Sequence, residues 1–429
     1  MVRDLLIVLC AVLACCGLAR GDYAQLVADI NPGAGGGGAS YLTIYGNCLY
    51  FTANDLVGGS DQELWRYDGS TVQRAADINP GPASSFPSNL TVYGSRLYLA
   101  ASGPGASGRL WQFDGTAASP APGSEPASAP QLDSFSEMID YGGRLYFRGT
   151  RFGTCGTELW WFDGAQQQVI DLWPGTGSSG PKEFIEYNGR LYFNAVNQQL
   201  WRLNTAGDGA EQVSSIGEGL SPESPVVFGG ALYFRGYEPA TGLELYRYDG
   251  TTTTRVTDIA AGPAFGSPSG MTVFGDKIYF SADEGTHGLE LWSYSELDGA
   301  QLVYNINQNA PPAGGEDPEH HANPSDFLVF DGRLYFGADD GVHGRELWCY
   351  DGAGEPELVA DIYPGQYGSD VRELIEFQGR LFFSANNGTL GGEPAYLAES
   401  ALFALVPEPA TLALLAAGTC VLALRRRRR

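Results

Sequence analysis

The sequence predicts an all-β chain of about eight small four-stranded sheets set in a ring, and three observations carry that prediction. An aromatic motif recurs as Leu49-Tyr50-Phe51, Leu97-Tyr98-Leu99, Leu145-Tyr146-Phe147, Leu191-Tyr192-Phe193, Leu232-Tyr233-Phe234, Ile278-Tyr279-Phe280, Leu334-Tyr335-Phe336 and Leu381-Phe382-Phe383. Its spacings are 48, 48, 46, 41, 46, 56 and 47 residues, a period that marks a repeat architecture. Glycine accounts for 59 of 429 residues and proline for 25, so the chain turns often. Alternation along a strand puts the Leu and Phe of each motif on one face and the Tyr on the other. Both faces are then apolar, and each sheet must lie between two neighbours. Sheets stacked face to face around an axis meet that demand; the architecture is a β-propeller.

From the N-terminus, residues 1–21 carry a charged start, an apolar run from Leu5 to Leu18 and small residues ahead of Asp22. That is the pattern of a secretory leader. The body, 22–399, holds eight units of about 47 residues each. A tight Gly-containing turn such as Gly94-Ser95 or Gly142-Gly143 joins the first two strands of a unit. The third strand carries "ELWRYDG" at 63–69, with counterparts at 109–115, 158–164, 199–205, 244–250, 290–296 and 346–352, and a decayed "EPAYLAE" at 393–399. A fourth strand ends in D-I-x-P-G, clear at Asp29, Asp77 and Asp361. Two Pro-rich stretches, 116–131 and 310–325, interrupt the phase without ending it and read as loops.

"AQLVADI" at 24–30 copies the fourth strand of unit seven but precedes unit one, while unit eight ends without such a strand. Residues 24–30 are therefore expected to form the outer strand of the last blade, beside 393–398. The rival is "SALFALV" at 400–406, otherwise a linker, which would supply that strand itself. Closing the ring with the N-terminal copy leaves no open edge.

Residues 407–429 read "PEPATLALLAAGTCVLALRRRRR". The Pro407-Glu408-Pro409 break fixes a helix start. Residues 410–424 form an uncharged, short transmembrane candidate, and the arginines at 425–429 belong on the cytoplasmic side.

The formal charge is −25; without residues 1–21 and the last five arginines, 18 basic and 49 acidic residues leave −31. Such a body repels phosphate backbones and argues against nucleic-acid binding. Cys48, Cys155 and Cys349 remain in the body, enough for one disulfide but without metal-site spacing.

Candidate chemistry is sparse. The recurring Glu63, Glu158, Glu244, Glu290, Glu346 and Glu393 read as hydrogen-bonding scaffold, as repeated residues of a ring do. The recurring turn residues Asp68, Asp114, Asp163, Asp249 and Asp351 fit Asp-Gly turns, and the Trp65 series fits packing between blades. His287 and His343 sit at equivalent loop positions. The insert at 314–326 gathers Glu316, Asp317, Glu319, His320 and His321, a weak set for a divalent metal. Asp283-Glu284 and Asp339-Asp340 are weak candidates for Ca²⁺. No G-x-S-x-G, phosphate loop or H-E-x-x-H occurs, and no catalytic residue or cofactor is assigned.

The triplet, apolar run and basic end resemble the PEP-CTERM sorting signal of Gram-negative bacteria. That resemblance implies recognition by an exosortase, an inner-membrane intermediate, cleavage near Pro407–Pro409 and delivery to the cell surface or matrix; an uncut single-pass anchor is the alternative. The third-strand motifs resemble the "ELWxxDGT" repeats of large secreted bacterial proteins. The expectation is a non-catalytic surface propeller that binds extracellular polysaccharide or another surface protein. The alternative is a carbohydrate-active enzyme using channel carboxylates.

Overall fold

The computed structural model describes residues 22–28, 30–31, 37–55, 61–104, 106–123, 132, 134–213, 220–308, 321–388 and 400–407. The described residues form eight antiparallel sheets of four strands each, and the first strands of neighbouring sheets pack against one another around a central channel. This is the eight-bladed propeller. Blade 7 shows the plan: Ser325–Phe330 innermost, then Arg333–Asp339, Arg345–Tyr350 and Glu357–Ala360 at the rim.

The motif alternation decides the packing. Leu49 and Phe51 of blade 1 are buried with Phe382, Leu402 and Ala404 of blade 8. Tyr50, between them, turns the other way, onto Leu97, Leu99 and Phe113 of blade 2. Each fully buried Leu or Phe contributes roughly 1.5–3 kcal/mol, so the blades are held mainly by each other. The tryptophans lie in the same seams: Trp160 with Tyr98 and Leu110, Trp348 with Tyr279 and Leu291. The turn joining first and second strands lies on one face of the disc throughout. There the terminal tyrosines reach across blades, Tyr45 Oη donating to the Ser95 carbonyl (2.8 Å) and Tyr93 Oη to that of Gly143 (2.8 Å). We call this the short-turn face; the longer connections occupy the opposite, long-loop face.

In blades 1, 3, 5, 6 and 7 a third-strand glutamate binds the blade's fourth-strand exit. Glu158 is fully buried; its Oε2 accepts from Leu172 N (2.9 Å) and Ser179 Oγ (2.6 Å), and its Oε1 from Ser179 N (2.8 Å). Glu63 does the same with Ile78 and Ser85, and Glu346 with Ile362, Tyr363 and Ser369. Burial raises the carboxyls of Glu63 and Glu158, and takes Glu346 to about 7 and Glu290 to about 8.

The closing blade corrects the sequence reading in part. Asp22–Ala28 is its outer strand, as expected, but its partner is Ala401–Pro407 rather than 393–398, which lie outside the described residues along with Glu393. The segment 400–406 is therefore neither a linker nor the outer strand. It supplies the third strand, with Phe403 opposite Phe383 where Trp348 faces Phe336 in blade 7, and Ala401 where five of the other blades place glutamate. Phe383 and Phe403 stack at 6.0 Å, replacing the usual tryptophan contact. Cys48, Cys155 and Cys349 form no disulfide. The leader, residues 408–429 and the transmembrane candidate 410–424 fall outside the described residues; among those described, no helix is long and apolar enough to cross a membrane.

Candidate functional site

Every inner strand carries the same bulge. The register slips between Ser325 and Leu328 in blade 7, and at the corresponding pair in each of the other seven. The bulged residues are Tyr41, Asn89, Glu137, Glu183, Ser224, Gly270, Asp326 and Glu373, with φ between 49° and 66°. A left-handed conformation costs a non-glycine residue about 1–2 kcal/mol, so eight coincident bulges need a compensating interaction.

Hydrogen bonds from blade to blade supply it. Asn89 Oδ1 accepts from Glu137 N (3.3 Å), Glu137 Oε2 from Glu183 N (2.6 Å) and Glu183 Oε2 from Ser224 N (3.0 Å). Ser224 Oγ accepts from Gly270 N (3.3 Å), Asp326 Oδ1 from Glu373 N (3.0 Å) and Glu373 Oε2 from Leu42 N (3.0 Å). Two links differ: Gly270 has no side chain, and Thr43 Oγ1 donates to the Leu90 carbonyl (3.2 Å) between blades 1 and 2. The throat thus holds two neighbouring acid pairs, Glu137 with Glu183 and Asp326 with Glu373, in blades 3–4 and 7–8. Burial raises the Glu183 and Glu373 carboxyls, and the negative charge of Glu137 and Asp326 respectively adds to it.

Above the throat, on the long-loop face, Arg345 spans blades 7 and 8. It donates to the Asn323 carbonyl (2.7 Å), Ser325 Oγ (2.6 Å), Asp326 Oδ2 (3.2 Å) and the Val371 carbonyl (3.2 Å). Arg372 pairs with Asp370 at 3.0 Å. A cleft of about 610 Å³ opens here, lined by Asp339, Arg345, Tyr367, Asp370, Arg372 and Asn386. A second cleft of about 650 Å³ shares Arg345, Asp370, Arg372 and Glu373 and runs to Asn323 and Ser269. At the same channel end, Glu223 pairs with Lys182 and Arg235. The loops of this face also expose large aromatics: Phe86, Phe152, Trp173, Phe265 and Tyr367.

The metal candidates are differently placed. Glu316, Asp317 and His320 lie outside the described residues; His321 Nδ1 accepts from Leu289 N at 2.7 Å. Asp339 Oδ1 accepts from Gly341 N (2.7 Å), and Asp340 accepts from Val342 N (2.9 Å), His343 N (2.8 Å) and pairs with His343 Nδ1 (2.7 Å). Asp283 and Glu284 repeat this arrangement with Gly285 and His287. These paired carboxylates shape their loops. Among the described residues, no three His, Cys, Asp or Glu side chains are placed to hold a metal. The throat residues went unrecognised in sequence, although they stand four positions ahead of each inner strand's last aromatic, from Tyr45 to Phe377. Aligning the units on that aromatic exposes the four acids.

Pro407 ends the third strand of the closing blade, and Glu408 and Pro409 follow outside the described residues. Residues 405–429 are a PEP-CTERM protein-sorting motif. The motif implies export and exosortase-type processing. No curated protein matches the chain. The fold is similar to the computationally designed Ika8 protein, at TM-score 0.51 and 12% identity over 85% of this chain and 98% of that one. It also resembles a puromycin hydrolase (TM-score 0.47, 12% identity, 84% of this chain) and the GH74 enzyme of Niastella koreensis (TM-score 0.44, 14% identity, 84%). The chain spans 61% and 59% of the length of those two enzymes.

Proposed function

We propose that the protein is an exported, surface-sorted propeller of the ELWxxDGT-repeat type that binds extracellular polysaccharide on its long-loop face without cleaving it. One observation carries the reading: five large aromatics, Phe86, Phe152, Trp173, Phe265 and Tyr367, stand exposed on the loops of that single face, and Tyr367 lines its charged cleft. Aromatic faces beside fixed polar groups suit sugar rings, which offer apolar C–H faces and hydroxyl edges. Arg345, Asp370, Arg372 and Asn386 provide the polar partners beside Tyr367. The throat acids support a non-catalytic reading because each spends an oxygen on the next blade's amide.

The raised Glu183 and Glu373 beside Glu137 and Asp326 favour a second reading, a carboxylate-based glycoside-cleaving enzyme. Incubating purified residues 22–407 with the producer's exopolysaccharide separates the two. Retention without fragmentation is expected; new reducing ends, abolished by Glu183→Gln or Glu373→Gln, establish the enzyme.

A further inference from the structure

The strands that close the ring also carry both ends of the body, and they do so at one place. Asp22 faces Pro407 as the last pair of their antiparallel ladder, followed inward by Tyr23 with Val406 and Ala24 with Leu405. Ala401 faces Ala385 and Ala404 faces Phe382, so Pro407 points toward the Gln378-Gly379 turn. The ladder therefore ends on the short-turn face, at the rim, since Asp22–Ala28 is the outermost strand of its blade. Arg372 and Ser384 pair at the other end of the same blade, five residues or about 17 Å away at 3.4 Å per residue. Tyr367 and the charged mouth lie on that far side.

The apolar run begins at Ala410, three residues past Pro407, a reach of about 11 Å at full extension. A bilayer holding that run cannot be far from the Asp22–Pro407 pair. We propose that the tailed protein is carried with its short-turn face toward the membrane, the closing blade nearest, and its long-loop face with the Tyr367 cleft turned outward. This rests on reading 410–424 as membrane-embedded. The polysaccharide face is then available before the tail is removed. Leu405 is buried and paired with Ala24, so a cut after Pro407 releases the ring with its closing strand intact.

The test places fluorophores at opposite ends of the closing blade. The chain from Asp22 to Arg429, with Cys48→Ser, Cys155→Ser and Cys420→Ser, is labelled at Tyr23→Cys or Tyr367→Cys; Cys349 is buried. It is reconstituted in phosphatidylcholine vesicles carrying a spin-labelled lipid. Most of the fluorescence should be lost at position 23 and essentially none at 367. A second pair on blade 1, Ser70→Cys on the short-turn face and Phe86→Cys on the long-loop face, should split the same way if the Tyr23 variant does not fold. Vesicle-bound protein quenched equally at both ends, or more at 367, overturns the orientation. Protein that does not float with vesicles overturns the membrane reading of the tail and the orientation with it.

Discussion

On the short-turn face, Asp68, Asp114, Asp163 and Asp249 make the same two hydrogen bonds in four blades. Each accepts from the amides two and three residues ahead, at 2.8–2.9 Å. On the long-loop face the connections differ from blade to blade, and there Phe86, Phe152, Trp173, Phe265 and Tyr367 are exposed. The contrast teaches where to look in a repeat protein. A residue kept in every unit holds the unit together; function lies where the units stop agreeing. The throat stands between these cases, because the bulge repeats in all eight blades while its residue changes.

The largest effect that sharpens this comparison comes from the closing ladder. Deleting residues 22–28 strips the outer strand from Ala401–Pro407 and uncovers the apolar positions that pack with Ala24 and Leu26. A cooperative fall in melting temperature on the order of 10 °C is expected. A truncated ring that melts like the full body contradicts closure by the N-terminus.

Next come the buried glutamates. Glu158→Ala takes the acceptor from the Ser179 and Leu172 amides, at a cost of about 3 kcal/mol. Glu158→Gln should recover part of that loss, because its one amide oxygen still accepts while the NH₂ faces the donors on the other side. Denaturant melts that rank Gln with Ala would show that space, not hydrogen bonding, is what the residue supplies.

A smaller effect depends on pH. Burial pushes Glu290 from 4.5 up to about 8, so the folded chain holds a proton that the unfolded chain releases near its ordinary value. Between about 4.5 and 8 the folded state binds more protons, and stability falls as pH rises through that window. Melting temperature should drop from pH 5 to pH 8.5, and less steeply in Glu290→Gln. Identical slopes in the two proteins would place the buried proton elsewhere.

Much of the scaffold is legible in the sequence because it repeats. Leu49-Tyr50-Phe51 and its copies set the strands, their faces and the seams, and "LVADI" ahead of unit one revealed the closing strand. The third strand of blade 8 was hidden by its own divergence. Phe403 and Ala401 replace the expected Trp and Glu, so "SALFALV" reads as a linker or an outer strand rather than a third strand. The throat was hidden for another reason. A bulge constrains φ rather than identity, and Tyr, Asn, Glu, Ser, Gly and Asp all occupy it. The face that carries the proposed function left the least trace, because its aromatics fall at different places within the loops and no two share a repeat position that alignment would reveal.

Retention on immobilised exopolysaccharide tests the account most directly. Phe86→Ala combined with Tyr367→Ala changes only exposed long-loop side chains, and Leu297→Ala changes an exposed side chain on the short-turn face. Substitutions at such surface positions should leave stability within about 0.5 kcal/mol. The long-loop variant should lose retention while the Leu297 variant keeps it. Equal retention by both, or loss only with Leu297→Ala, would contradict the claim that this propeller binds through its long-loop face.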